Sequence, residues 1–442
     1  MATPPTSPKS SATPQDSQLP DSPLRSPRRS PRKSGHHKRA SLGGIFDHLN
    51  IASSSSGAHS RPIMAGINLA RSIREKFQSI HQPDGTIRTR AHQVEATFTI
   101  RMDDAYDYNL LGDDVDPDDL HSEMAQFSAS VADILNTSSL NETSQENDHR
   151  AADEYLLDAL ARMVFGSNAI ENAGSDLDIT LKICRAIFKG EFAEETIHER
   201  TPEYEALKRD LIQRGLPAGT PYILRSRQEI VQHALAARHI MTEVFLRDKD
   251  LSEETILKTH SILTDGVDHE DGTDWAEYSG KYREVSVGAG LHVFTPPGQV
   301  PREMSRMISR LKRDLILATE EGVIDPVALA TKYCHIFVNI RPFLDGNGRM
   351  CRLILNALLL KYGSFLACMG QEDSTRDEYL SIAARASMSE SSSSDEWGED
   401  DKHAPKLYKE LASFKLKHAH DGFKQFIGSL RGKHHAKDAV DE

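Results

Sequence analysis

Residues 325–363 read DPVALATKYCHIFVNIRPFLDGNGRMCRLILNALLLKYG. Asp325 has the side chain of an N-cap, and Pro326 stands at the first helical position, where its missing N–H costs nothing. The pattern predicts a helix to about Asn339, stopped by Pro342. A second helix is expected from about Asn347 to Tyr362, closed by Gly363. Its middle is apolar on nearly every face, the pattern of a central buried helix. Between the two helices lies Asp345-Gly346-Asn347-Gly348-Arg349. Asp-Gly and Asn-Gly commonly make hairpin turns, but here both flanks read as helix. A calcium loop fails too: counted from Asp345, the positions that need an oxygen ligand and a Glu hold Arg349 and Asn356. The remaining reading is an anion cradle. Gly346 and Gly348 let the backbone approach a phosphate, and the helix start at Asn347 offers free N–H groups and a positive dipole end. Arg349 and Arg352 neighbour each other on one helical face, and both can fork onto phosphate oxygens. Asp345, at the loop entrance, is placed for a Mg²⁺ that accompanies nucleotide phosphates.

Working outward, Tyr282–Phe294 (YREVSVGAGLHVF) holds two short β-branched runs around Gly288-Ala289-Gly290, a β-hairpin signal. Pro296, Pro297 and Pro301 end it, and Arg302–Glu320 returns to helix. Further helices are expected over Gln228–Phe245, Ser252–Leu263 with Ser252 as N-cap, Ala151–Phe165, Leu120–Leu135 and Pro405–Leu430. Ile63, Ile67, Leu69, Ile73 and Phe77 are spaced for one helical face. Asp104–Asp119 reads as a loop and Ser138–Asn147 as a polar linker. Four segments follow: 1–60, 61–149, 150–368 and 369–442. The third is the dense domain, flanked by helical extensions. No internal repeat is present.

The first segment is different in kind. Eight of the chain's 20 prolines and many serines fall within residues 1–40, so this tail cannot bury enough apolar surface to fold. Ser22, Ser26 and Ser30 each precede a proline, and Ser41 follows Lys38-Arg39-Ala40, contexts suited to kinases as partners of the tail. Arg28–Arg39 resembles a nuclear-import signal. Ser389–Asp401 is an acidic low-complexity stretch, read as a disordered insertion. The net charge of −13 hides eight Lys/Arg against two Asp in residues 1–40, so an acidic body carries −19. That balance excludes a general nucleic-acid binder, which needs a basic face. The longest apolar stretch, Leu353–Met369, is interrupted by Asn356, Lys361 and Gly363, so no membrane helix is expected. Cys184, Cys334, Cys351 and Cys368 lack close-pair spacing and read as reduced thiols in a cytoplasmic or nuclear protein.

The loop RPFLDGNGRMCR resembles the signature of Fic (Fido) domains: His-Pro-Phe, one residue, Asp/Glu, Gly-Asn-Gly-Arg, two residues, Arg. Every position fits except the first. The likeness extends over about residues 150–368, including Lys281-Tyr282-Arg283 before the hairpin and His292 and Pro296-Pro297 at and after it. It implies a mainly α fold, a helical core with a small β-hairpin flap. It further implies ATP and Mg²⁺ as ligands and transfer of AMP to a Ser, Thr or Tyr hydroxyl of a target protein docked along the flap. Some family members move other phosphate-linked groups and some remove AMP. A homodimer stays open. Ser167-Asn168-Ala169-Ile170-Glu171-Asn172 resembles the family's inhibitory motif, Ser/Thr, three residues, Glu, Gly/Asn. By that resemblance Ser167, Glu171 and Asn172 end an inhibitory helix, and Glu171 holds Arg352 away from the γ-phosphate. The plain alternative is a helix C-terminus with Glu171 in a surface salt bridge.

One departure matters. The family's catalytic His, which takes the proton from the target hydroxyl, is Arg341 here. A general base needs a neutral form near working pH, and arginine stays protonated. Loss of a general base costs about 10²–10⁴-fold. His335 lies six residues earlier, about 9 Å along a helix at standard rise, and reads as core packing. Arg341 has two readings: an added positive charge beside the phosphates, or a side chain folded away into a salt bridge. The expectation is therefore an autoinhibited ATP-binding protein of the adenylyltransferase class with impaired chemistry. The alternative is a nucleotide-binding pseudoenzyme.

Overall fold

A computed structural model describes residues 67–82, 87–88, 95–96, 108, 116–136, 142–191, 197–289, 292–393 and 407–438. The tail serines and most of the acidic stretch after Ser393 lie outside these residues. The described protein is mainly helical. In chain order α1 spans Leu69–Ile80, α2 Pro117–Asn136, α3 Glu142–Ile170, α4 Leu177–Lys189, α5 Pro202–Gln213 and α6 Thr220–Met241. Then come α7 Glu253–Leu263, α8 Trp275–Tyr278, α9 Val300–Glu321, α10 Pro326–Ile340, α11 Asn347–Gly363, α12 Asp373–Ser393 and α13 Lys409–Asp438. Strands are two residues each: β1 Glu95–Ala96, β2 Gly288–Ala289, β3 His292–Val293 and β4 Val323–Ile324. β1 runs parallel to β4, and β2 runs antiparallel to β3 with Gly288 opposite Val293. No described helix is long and apolar enough to cross a membrane.

α11 is the centre. It is buried along almost its whole length and packs against α10, α6, α7 and α3. The polar residues that interrupt its apolar sequence all have partners, as buried polar groups require. Asn356 Nδ2 donates to the carbonyls of Arg352 (3.0 Å) and Ala367 (3.2 Å), and its Oδ1 accepts from Ala367 N–H at 2.8 Å. Lys361 Nζ donates to the Lys249 carbonyl at 2.9 Å and lies 3.4 Å from Asp248 Oδ1. The expected caps are present. Asp325 Oδ1 accepts from the N–H groups of Val327 and Ala328 at 3.0 Å each, and Ser252 Oγ accepts from Thr255 N–H at 3.1 Å.

Several boundaries differ from the sequence reading: α2 begins at Pro117, inside the expected loop, α6 begins at Thr220 rather than Gln228, and Gly288-Ala289, expected between the two β runs, is itself β2. Gly363 does not close α11: it remains helical, and Ser364 takes the left-handed conformation at φ 60°. The glycine is needed for space, since a Cβ there would meet the Phe365 ring at 2.4 Å. α3 begins at Glu142, inside the expected linker and ahead of the boundary at 150. α1 holds it there: Arg74 Nε donates to Asp153 Oδ1 at 2.7 Å, and Gln78 Nε2 lies 3.1 Å from His149 Nε2. α1 starts at Leu69, so Ile67 precedes it and is exposed, while Ile63 lies outside the described residues. α12 runs on through Ser393, taking the first residues of the acidic stretch into helix. All four cysteines are free thiols, three of them buried.

Candidate functional site

The loop between α10 and α11 is braced from three sides. Within it, Asn347 Oδ1 accepts from Phe343 N–H at 2.9 Å, and its Nδ2 donates to the Phe343 carbonyl at 2.8 Å. Both ends of that amide bond the Phe343 backbone, so the side chain braces the loop. From α7, the His260 ring stacks on Phe343 with centroids 3.6 Å apart. His260 Nδ1 accepts from Gly280 N–H at 2.9 Å, which assigns the ring proton to Nε2, and Nε2 donates to the Asp345 carbonyl at 3.0 Å. Burial lowers the His260 pKa to about 4, so the ring is neutral. From the segment before β2, Arg283 is an internal clamp. Its Nε donates to the Arg341 carbonyl at 2.6 Å, and its N–H donates to the Pro342 carbonyl at 2.9 Å.

Inside this frame the cradle residues come together. Gly346 is left-handed at φ 74° and offers no side-chain cap, so the first N–H groups of α11 point out of the helix unsatisfied by a cap. Arg349 and Arg352 are both 4% exposed. Arg349 Nη2 donates to Asp345 Oδ2 at 3.2 Å, while its buried Nε and Nη1 have no hydrogen-bond partner. Burial raises the Asp345 pKa, but Arg349 and the Gly346 N–H outweigh it, and the carboxyl sits below its usual range. Arg352 is held by three hydrogen bonds. Its Nε donates to Ser167 Oγ at 2.8 Å, and its Nη2 donates to the Ser167 carbonyl at 2.8 Å and to Glu171 Oε1 at 2.6 Å. Its guanidinium carbon lies 5.9 Å from the centre of the Tyr379 ring.

Glu171 closes the arrangement. A Cβ at Gly348 would fall 2.0 Å from Glu171 Oε1, so only glycine lets this carboxylate rest on the first turn of α11. Burial pushes the Glu171 pKa up, but Arg352 and then Arg349 pull it below the ordinary value of 4.5. Its neighbour Asn172 ends α3 in the left-handed conformation, φ 55°, a role that glycine and asparagine fill best. The Asn172 carbonyl accepts from Arg214 Nη2 at 2.8 Å, and the Gly174 carbonyl accepts from Arg214 Nη1 at 2.9 Å.

Arg341 caps α10 in the left-handed region, with φ 46° and ψ 66°. Its guanidinium carbon lies 4.8 Å from the centre of the Phe294 ring, just past β3. His335 stays buried on α10, its ring nitrogens 3.2 and 3.4 Å from Asn339 Nδ2. Sequence reasoning missed His260, Arg283 and Tyr379. Arg283 had a signal, in its place beside the hairpin. His260 and Tyr379 had none, since a ring on a helical face reads as core.

Among the described residues no cluster of three or more His, Cys, Asp or Glu is placed to hold a metal by itself. The donor set of Asp345 alone fits a cation that takes its other oxygens from phosphate and water.

The Fic/DOC family model matches residues 250–359. A Fido domain-containing protein of Dictyostelium discoideum is 30% identical over 151 residues, which cover 34% of this chain and 93% of that protein. The protein adenylyltransferase Fic of Drosophila yakuba is 25% identical over 332 residues, 67% of this chain and 63% of that protein. Against its Drosophila sechellia counterpart the match is 31% identical and spans a quarter of that protein's length. A solved Fic domain containing signaling protein from Bacteroides thetaiotaomicron aligns with a TM-score of 0.48 at 18% identity, covering 70% of this chain and 98% of that one.

Proposed function

The chain belongs to the Fic/DOC family, and on that premise we propose that it binds Mg²⁺–ATP in the α10–α11 cradle as a protein of the adenylyltransferase class. It is held in check by Glu171 and weakened in its chemistry by Arg341. The observation that carries the reading is the Glu171 carboxylate, lodged against Gly348 and bonded to Arg352 at 2.6 Å. A negative group is already stabilised where the phosphates would lie, by a guanidinium and a helix N-terminus. The unpartnered Nε and Nη1 of Arg349 are spare donors for the same kind of group.

In this reading Gly346 and Gly348 admit the phosphate chain, the α11 N–H groups and Arg349 hold it, and Arg352 takes the γ-phosphate once Glu171 releases it. When bound, Mg²⁺ on Asp345 would neutralise charge on the departing pyrophosphate. The substrate would be a protein carrying a Ser, Thr or Tyr hydroxyl, aligned along a flap formed by β2 and β3. Its oxygen bonds to the α-phosphorus, the bond to pyrophosphate breaks, and the hydroxyl proton needs an acceptor. Arg341 cannot accept it. That same fact favours the second reading, a nucleotide-holding regulator without transfer.

Melting the protein with and without saturating Mg²⁺–ATP tests the shared part. A ligand at 100 times its Kd stabilises the folded state by about 2.7 kcal/mol, so a rise of several degrees is expected. Asp345→Ala should shrink it. No rise at millimolar nucleotide would remove the site. Incubation with α-labelled ATP then separates the two readings by whether label becomes covalently attached.

A further inference from the structure

Arg341 stands where a proton acceptor is expected, and its surroundings define what it offers instead. Its backbone is fixed: its N–H donates to the Phe337 carbonyl at 3.0 Å, and its carbonyl accepts from Arg283 Nε at 2.6 Å. The side chain has not folded away into a salt bridge with any described carboxylate. It rests on the Phe294 ring instead, and its buried Nε has no hydrogen-bond partner. The acidic groups whose charges act on it are Glu171 and Asp345, the two carboxylates of the cradle. Arg349 brings two further unpartnered buried donors, Nε and Nη1. Two arginines, one before the glycine loop and one after it, thus hold unsatisfied N–H groups within the field of the same carboxylates.

The charge count follows. Arg283, Arg341, Arg349 and Arg352 stand against Glu171 and Asp345, a net surplus of two positive charges; a neutral His at 341 would leave one. A nucleoside polyphosphate brings several negative charges, which a divalent cation ordinarily offsets. We propose that Arg341 is a third phosphate-contacting arginine, and that it lets this chain hold a nucleoside polyphosphate without a divalent cation. A guanidinium supplies a permanent charge and forked N–H donors matched to phosphate oxygens. The stack on Phe294 holds it partly away from water, where such contacts are strongest. The inference rests on the nucleotide-binding reading above, and turns the substitution that removes the base into one that keeps the ligand.

The test is calorimetric titration of the full chain with ATP, once in Mg²⁺ and once in EDTA, for the parent, Arg341→His, Arg341→Gln and Arg341→Lys. Melting without nucleotide checks that each variant is folded. The parent should bind ATP in EDTA within about tenfold of its Mg²⁺ affinity. His and Gln should lose about tenfold or more in EDTA and less in Mg²⁺, and Lys should keep most of the metal-free binding, as one charge-assisted contact predicts. Equal metal-free affinity in the parent and folded Arg341→Gln overturns the proposal, and so does a parent that needs Mg²⁺. If any variant fails to fold, the parent alone decides. Without metal it should prefer ATP to AMP by about tenfold, and equal binding of the two overturns the proposal. No binding of ATP in either buffer removes the nucleotide reading with it.

Discussion

In the function proposed above, Arg341 and Glu171 are the two side chains that set the chemistry of the site, and they act on different steps. Glu171 governs whether Arg352 is available. The pair is asymmetric: Arg352 is 4% exposed while the Glu171 side chain is 38% exposed. Solvent therefore screens the carboxylate, and the bond restrains the arginine more than it stabilises the fold. Its folded pKa lies below 4.5, so the contact is present above that value and is lost only as pH falls through the lowered one. At neutral pH the clamp is closed. In the same proposal Arg341, which cannot accept a proton, limits how the attacking hydroxyl loses its own. Arg341→His should therefore gain little alone, because Arg352 stays bonded to Ser167 and Glu171. Paired with Glu171→Gly it should transfer AMP from ATP to itself or to added protein about 10²-fold faster than the parent, if base loss is the limiting defect. Covalent labelling over time reads this. Full activity in Glu171→Gly alone would show that Arg341 is no lesion. A double variant that binds ATP yet stays dead would mean the site has lost more than its base.

At the scale of elements, the working unit is α10, its loop and α11, locked by the Asn347 amide. That side chain makes two buried hydrogen bonds to the Phe343 backbone, at 2.9 and 2.8 Å. Asn347→Ala leaves one buried N–H and one buried C=O without these partners, at about 1–3 kcal/mol each. The expected result is a loss of about 2–6 kcal/mol in denaturant unfolding, together with weaker nucleotide binding. Weakened binding at unchanged stability would return Asn347 to the role of a direct phosphate ligand. The reading of Asn347 illustrates what sequence makes legible. Caps such as Asp325 and Ser252 are local chemistry, read within three residues of themselves, and the structure bears them out. The glycines, Arg349, Arg352 and Asp345 were legible as a set because a loop of that composition between helices leaves few uses. What the Asn347 side chain does was not legible, since its partner is set by the path of the loop. His260 and Arg283 come from 85 and 58 residues away to hold that path, and no local rule brings them there. The end of α11 was misread for the same reason: Phe365 folds back over Gly363 and takes the space a Cβ would need.

Across the whole molecule, several histidines are buried as neutral rings, and this ties the site to the stability of the fold. His81 closes α1, with its Nδ1 2.9 Å from the Phe77 carbonyl, and burial lowers its pKa to about 4. His260, beneath the cradle, is lowered to about 4 by the same cause. His233 lies against Asn168 at 2.7 Å, and burial and then the charges of Arg349 and Arg352 hold it well below its ordinary range. The sign follows from linkage. Above pH 6.5 neither the folded nor the unfolded chain protonates these rings, and their contribution is complete. Between pH 6.5 and about 4 the unfolded chain takes up protons that the folded chain refuses, so stability falls as pH falls. For His81 and His260 the shortfall at pH 5 is about 2 kcal/mol each, at 1.36 kcal/mol per pH unit below 6.5. Denaturant unfolding should therefore give a stability that is level above pH 7 and lower by at least about 4 kcal/mol at pH 5, with His233 adding to the loss. Glu171 stays ionised over this range, so acidification should weaken the frame before it opens the clamp. Nucleotide binding should decline with the folded fraction, with no activated state on the way. Constant stability from pH 7.5 to 5 would mean these rings accept protons in the folded chain, and the neutral His260 that fixes the Asp345 carbonyl would have to be given up.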